Sequence, residues 1–420
     1  MLTKFTVGNF LSFKDKVTFS LLANSDKEHK EAVFAVKNLK KENKFIKAAA
    51  IYGLNGSGKS NLIKAIRFFR DFVADQKLAA IPFLLSTQTE KVPSFFEAEI
   101  IIDGEKYAYG FEILKTEIHK EWLHRTHGKK SFFERKKQKF IIARDFKEGP
   151  SERDKITPEN VLFVTNLAKF NGELSKKIVK KISDVEIVPS DDPNIFNSIF
   201  THAVAKFTDD PIYRKFMLDF MREADFGISD IQTKYGFVPI EDLTKNMPEH
   251  LKDFVQRSSP NSQAFQHKVS AVHPKFDANG KKVGDVAFDF SLESEGTKKA
   301  FRLAGLLARV LIEGEKTLII DELNSAFHPM LCQFILKKFI SKKTNPKNST
   351  LLFTTHDVSL LDREFLRRDQ VWFVDKDRFG ASKLFSLAEF GERKDSSYSK
   401  RYLEGRYGAV PYIKTLDYAE

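Results

Sequence analysis

The run from Gly53 to Ser60, Gly-Leu-Asn-Gly-Ser-Gly-Lys-Ser, constrains the fold more than any other stretch of the chain. It satisfies the pattern G-x-x-x-x-G-K-S. An apolar run of strand length, 45–52, precedes it, and apolar residues at helical spacing follow, among them Leu62, Ile63 and Ile66. Strand, glycine loop and helix in that order form the context that this motif requires.

The residue types follow from the chemistry. Glycines let the backbone curl so that successive N–H groups face one anion. The helix start adds free N–H groups and the positive end of a dipole. Asn55, Gly56, Ser57, Gly58 and Asn61 are therefore candidate phosphate-cradle residues. Lys59 is placed to reach the β- and γ-phosphates of a nucleotide, and the Ser60 hydroxyl to bind Mg²⁺.

A chain of 420 residues holds one large domain with an insertion, or two domains, and its 42% hydrophobic content supplies a core. Cys332 is the one cysteine, so no internal disulfide forms, which agrees with a reducing, cytosolic setting. The absence of any apolar run of membrane-spanning length leads to the expectation of a soluble, cytoplasmic protein without membrane contact. The net charge of +12 and isoelectric point near 9.3 permit a nucleic-acid or acidic partner, and fit solvated surface lysines equally well.

In chain order, residues 2–22 read as two strands around a turn. Residues 95–145 read as antiparallel strands, with Asp103-Gly104 as a hairpin signal and a basic stretch from Lys129 to Lys139. Residues 155–260 read as mostly helical, 264–290 as strands turning at Asn279-Gly280, and the remainder as alternating strand and helix.

Thr317 to Glu322 is an apolar strand ending in two carboxylates. After a phosphate loop, the first, Asp321, is placed to hold Mg²⁺, and the second, Glu322, to polarise an attacking water. Leu351 to Asp357 is another apolar strand, ending at His356, which is placed to contact a γ-phosphate; alone, such a histidine is ordinarily structural. Ser294 and Gly296 open a helical run, as a second anion site or as an ordinary capped helix. Because the glycine loop already serves this chain's nucleotide, a second such site implies the nucleotide of a second subunit.

These elements, in this order, resemble the ABC-type ATPases of the RecF and structural-maintenance-of-chromosomes group. Asn9-Phe10-Leu11-Ser12-Phe13 is similar to that group's opening turn, Gly53 to Asn61 to its Walker A, and Ser294-Glu295-Gly296-Thr297 to a diverged signature. Asp321-Glu322 resembles Walker B, Leu323 to Pro329 the D-loop with Asn324 where aspartate is usual, and His356 the switch histidine. Gln88 is the candidate Q-loop residue. The likeness is nearest to bacterial stand-alone ATPases of phage-defence and abortive-infection systems, of the RloA and PARIS kind. The segment from Tyr402 to Pro411 also resembles their ending.

The resemblance implies an α/β fold of the ABC-type P-loop NTPase class, with a mixed sheet, an antiparallel β lobe and an inserted helical subdomain. The expected division is 1–150, 151–262 and 263–420. It implies ATP and Mg²⁺ as cofactors and hydrolysis by Glu322, His356 and Lys59. It further implies a homodimer or higher homo-oligomer in which Ser294 and Gly296 of one chain meet the ATP of the other. An effector encoded nearby, a nuclease or toxin, is the expected protein partner. A RecF-like DNA-binding repair ATPase is the alternative, and nucleic acid its expected partner.

Overall fold

The computed structural model describes residues 1–36, 39, 43–76, 78–190, 192–239, 263–325, 327–391 and 397–409. The expected helical pattern over 240–262, Ala326 of the D-loop-like turn, and Val410 and Pro411 of the family-like ending lie outside them. The chain forms two compact units, Met1–Asp191 with Glu313–Glu420, and Asp192–Ile312.

The first unit opens with β1 (Leu2–Gly8), β2 (Val17–Ser20), the pair β3 (Val33–Ala35) and β4 (Lys44–Ile46), β5 (Ala48–Gly53) and α1 (Lys59–Asp75). Next come β6 (Ser94–Ile102), β7 (Glu105–Leu114), β8 (Glu117–Arg125), β9 (Lys130–Lys136) and β10 (Lys139–Ile142), then α2 (Phe163–Lys169), α3 (Glu173–Ser183) and β11 (Val185–Val188). The second unit holds α4 (Pro193–Asp209), α5 (Pro211–Glu223), β12 (Asp230–Pro239), β13 (Gln263–Phe276), β14 (Lys282–Asp289) and α6 (Glu295–Ala308). The chain returns to the first unit with β15 (Thr317–Ile320), α7 (Pro329–Ile340), β16 (Thr350–Thr354), β17 (Val371–Lys376), β18 (Ser382–Ser386) and α8 (Tyr398–Leu403).

Two sheets make the first unit. A mixed six-stranded sheet runs β11-β15-β16-β5-β17-β18, parallel except for the β17–β18 hairpin. Every residue of β5 is buried, which is why its sequence is a continuous apolar run rather than an alternation. The second sheet, β10-β9-β8-β7-β6-β1-β2, is antiparallel throughout. From Ser94 to Ile100 of β6 buried and half-buried residues alternate, the mark of a sheet covered mainly on one face. The β6–β7 turn is at Asp103-Gly104, where φ is 50° and 77°, the backbone of the tight hairpin the sequence called for. The basic stretch falls on the β9–β10 hairpin, with β10 as the edge strand, where lysines discourage pairing with another chain.

Helix α1 buries its apolar face in the core that both sheets share. Phe69 stacks on Phe111 at 5.4 Å and Phe68 on Phe96 at 5.0 Å, while Phe5 meets Phe69 edge-on at 5.6 Å. Each such buried aromatic contributes about 1.5–3 kcal/mol, so the helix that follows the glycine loop is rigidly seated.

Helices α2 and α3 belong with this unit, whose first segment runs to Asp191. Buried Glu121 of β8 accepts the Phe163 and Val164 backbone N–H groups at 2.7 and 2.9 Å, capping α2, which has no side-chain cap of its own. The chain then enters the six-stranded sheet as β11, opposite β15.

The second unit packs α4, α5 and α6 together and carries a three-stranded antiparallel sheet, β12-β13-β14. It is thus an inserted helical unit with its own sheet. Gly305 allows a close crossing of α4 and α6: a Cβ there would lie 2.4 Å from that of Ala203. Phe200, Phe290 and Phe301 form an aromatic cluster with centroids 5.1–5.8 Å apart.

Candidate nucleotide site

Parallel registers gather the motifs. Thr354 of β16 lies opposite Ile51 of β5, Ile320 of β15 opposite Phe353, and Val374 of β17 opposite Gly53. The glycine loop, Asp321-Glu322 and Thr355-His356 therefore leave the sheet side by side at its carboxyl edge, where ligands of open parallel sheets bind.

The loop needs glycine at two points for different reasons. Gly58 has φ 116°, and a Cβ there would lie 2.3 Å from Ser382 Oγ and 2.7 Å from Ser12 Oγ. Gly56 has φ 74° and open space where its Cβ would be, leaving backbone bare to a ligand. The Ser57 hydroxyl is buried and has no hydrogen-bond partner, a polar atom waiting for one. Lys59 is buried and its ammonium donates to the Gly53 and Leu54 carbonyls, both at 2.9 Å. An ammonium has three donors, so one remains for a phosphate. Burial lowers the Lys59 pKa to about 8, with Asp321 and Glu322 pulling the other way. The open cradle, the orphaned hydroxyl and the spare donor fit a polyphosphate.

Asp321 is buried with both oxygens placed: Oδ1 accepts from the Thr354 hydroxyl at 2.7 Å and Oδ2 from the Ser190 hydroxyl at 3.0 Å. Thr354 Oγ1 in turn accepts the Glu322 N–H at 2.7 Å. Glu322 sits at φ 55°, a left-handed backbone that sharply turns the chain out of β15. A magnesium ion is typically held by one or two carboxylates, a hydroxyl and the phosphates themselves. Asp321 and Ser60 supply groups of the right chemistry for it.

His356 is exposed at the end of β16. Partial desolvation, and next the charge of Lys59, lower its pKa, so the ring is neutral near pH 7. Asn324 Oδ1 accepts from the Thr355 hydroxyl at 2.9 Å and from the His356 N–H at 3.3 Å. The amide oxygen thus joins the turn after the carboxylates to the histidine strand, an accepting role that an aspartate would fill equally well.

Ser294 and Gly296 lie in the second unit. Ser294 is the N-cap of α6, its hydroxyl accepting the Thr297 N–H at 3.1 Å, and the helix start is exposed. Gln88 is exposed in the loop before β6, its backbone N–H donating to Ser86 Oγ at 3.4 Å. Asp377 accepts from the Phe379 and Ala381 N–H groups, so the Asp375-x-Asp377 pair ends β17 and opens the turn to β18.

Two further residues shape the loop. Ser12, in the turn of positive-φ residues Asn9 and Leu11, accepts from Asn61 Nδ2 at 2.8 Å. Ser382 Oγ lies 2.8 Å from Ser12 Oγ and 2.5 Å from the Ser57 carbonyl, and its N–H donates to the Ser12 carbonyl at 2.7 Å. The family-like opening turn pointed at Ser12. No local pattern marks Ser382, which reaches the loop only through the pairing of β18 with β17.

Fold and site together define a P-loop ATPase of the ABC/AAA type. Residues 48–362 match a protein-family profile described as "AAA domain, putative AbiEii toxin, Type IV TA system", and the chain belongs to that family. No curated protein matches it. Among solved structures, a SmcHead bound to the C-winged helix domain of ScpA is similar at 14% identity and TM-score 0.45, over 92% of this chain and 97% of that one. The SMC head domain from Thermotoga maritima is similar at 15% identity and TM-score 0.41, over 92% and 98%. The recombination mediator RecF is similar at 15% identity and TM-score 0.36, again over 92% and 98%. The family assignment rests on the profile rather than on these distant likenesses. Among the described residues, no helix is long and apolar enough to cross a membrane.

Proposed function

We propose that this ATPase closes on ATP as a homodimer or higher homo-oligomer and thereby controls a toxic effector, a nuclease or other toxin encoded nearby, in bacterial antiviral defence. The convergence of Lys59, Asp321, Glu322 and His356 at one sheet edge carries the catalytic half of this reading. The family's toxin–antitoxin description, with the RloA- and PARIS-type sequence resemblance, supports the defence half.

In this reading Asn55, Gly56, Ser57, Gly58 and Asn61 form or brace the phosphate cradle, and Lys59 gives its spare N–H to the β- and γ-phosphates. Ser60 and Asp321 hold Mg²⁺, which when bound neutralises phosphate charge. Glu322, turned out of the strand by its left-handed backbone, accepts a proton from the attacking water. Neutral His356 donates to the γ-phosphate and carries its loss to Asn324 and the turn beyond. Ser294 and Gly296 of a second copy complete the phosphate's shell, a self-complementary contact that closes a dimer.

The test is native mass measurement of Glu322→Gln protein, purified with its neighbouring gene products, with and without ATP. An ATP-dependent assembly that holds or releases a second protein is expected, and an assembly indifferent to ATP refutes the reading. Equal phage plating on cells carrying the intact operon and a Lys59→Ala copy, across a broad phage panel, would remove the defence role. The net charge of +12 favours a second reading, a DNA-binding repair ATPase. That reading requires strongly salt-dependent binding to duplex, nicked or single-stranded DNA.

A further inference from the structure

The parallel strands have a second end. At the amino ends of β5, β16 and β17, opposite the glycine loop, the first unit has an open concavity of about 1000 Å³. Lys27, Lys30, Lys44 and Lys342 line it, with Val33 and Phe34 on an apolar wall. All four lysines are exposed. The other charged lining residues are already paired: Asp26 with Arg368 at 2.7 Å, and Arg367 with Asp369 at 2.7 Å. Of the neighbouring carboxylates, Glu28 pairs with Arg363, and Glu31 lies 3.4 Å from the His29 ring. Among the described residues, none of the four lysines has a carboxylate partner.

A fifth cation stands behind them. Lys47 is fully buried, and its ammonium donates to the Ile340 carbonyl at 2.7 Å. Burial first, and then the charge of Lys342, lower its pKa, with Glu31 pulling the other way, so Lys47 and Lys342 act on one another at this end of the sheet.

We infer that this cavity binds a compact organic polyphosphate of nucleotide size, at a site separate from the phosphate loop. The volume lies at the upper end of small-molecule sites, about 300–1000 Å³. Cations converging on one concavity suit clustered phosphates, and the apolar wall suits an organic moiety. A nucleic-acid backbone would call for lysines spread along a stripe. The six residues of β5, at about 3.3 Å each, hold the two sites roughly 20 Å apart.

Calorimetry of the full chain with sodium tripolyphosphate, in saturating Mg²⁺ and ADP so that the phosphate loop is filled, tests this. We expect one ADP-insensitive site, weakened by added salt and about tenfold weaker in Lys30→Glu/Lys342→Glu. That variant should bind ADP as the wild type does, which also reports that it folds; Lys30→Gln/Lys342→Gln serves if it does not. Absence of the ADP-insensitive site in the wild type, or equal affinity in the variant, overturns the inference. So does a short DNA duplex that the wild type binds, the variant loses and tripolyphosphate fails to displace. Failure of the wild type to bind ADP would count against the phosphate-loop reading alone, because the lysine variants still report on the cavity in ADP-free titrations.

Discussion

Helices α1 and α6 begin in opposite ways. The N-cap of α1 is Gly58, which offers no side-chain bond, and no acidic residue stands in the first turn. The N-cap of α6 is Ser294, whose hydroxyl accepts from Thr297, and Glu295 in the first turn pairs with Lys298 at 3.1 Å. A glycine start leaves the orphan N–H groups and the dipole to an outside anion, whereas a serine start satisfies part of that demand itself. Two sequence stretches that both read as anion sites therefore differ in kind. The first is incomplete without a phosphate, and the second is stable alone and free to meet one.

The largest expected effect lies on the α1 side. Glu322→Gln should lower hydrolysis about 100- to 10,000-fold in a steady-state phosphate-release assay while ATP binding persists. Undiminished turnover would assign the base elsewhere. Lys59→Ala removes a charge-assisted donor to the phosphates. ATP affinity should fall about tenfold to a hundredfold by fluorescence titration, with folding retained.

The Lys59 pKa gives a pH signature. Bound phosphates favour the protonated ammonium, so its pKa rises from about 8 when nucleotide binds. Affinity is therefore full below pH 8 and falls as pH rises through it, by up to about tenfold per unit. Lys59→Ala should lack this slope; a wild type with no slope would mean that the ammonium does not touch phosphate.

The smallest effects belong to α6. Ser294→Ala should cost about 1 kcal/mol of stability, read by urea unfolding. Ser294→Asp should keep the cap and the stability but set a negative charge where a partner's phosphate would sit. Loss of ATP-driven association in this variant alone would confirm that the α6 start has an intermolecular task. Unchanged association would leave α6 an ordinary capped helix.

Features with local chemistry were legible in the sequence. The loop from Gly53 to Ser60, the Asp321-Glu322 strand end and the Asp103-Gly104 hairpin each carry their conformation in their own residues. The antiparallel lobe was legible because its strands are long and alternate. Residues 155–191 were harder. The strand β11 is only Val185–Val188, and its identity comes from pairing with β15 rather than from any pattern of its own. Likewise β12 lies within a stretch read as helical, and β13 supplies its ladder of bonds. Ser382 was illegible for the same reason: its place at the loop is a tertiary fact.

That place bears on how the protein is made. Ser382 touches the Ser57 carbonyl and the Ser12 hydroxyl, and the latter residue stands 370 positions earlier in the chain. A ribosome that has delivered the whole of Gly53 to Ser60 has still not delivered the strand that braces it. The nascent polypeptide thus carries an unfinished loop through most of its synthesis. That brace arrives only as β18 emerges, so a prematurely terminated product lacks a contact that the finished protein has.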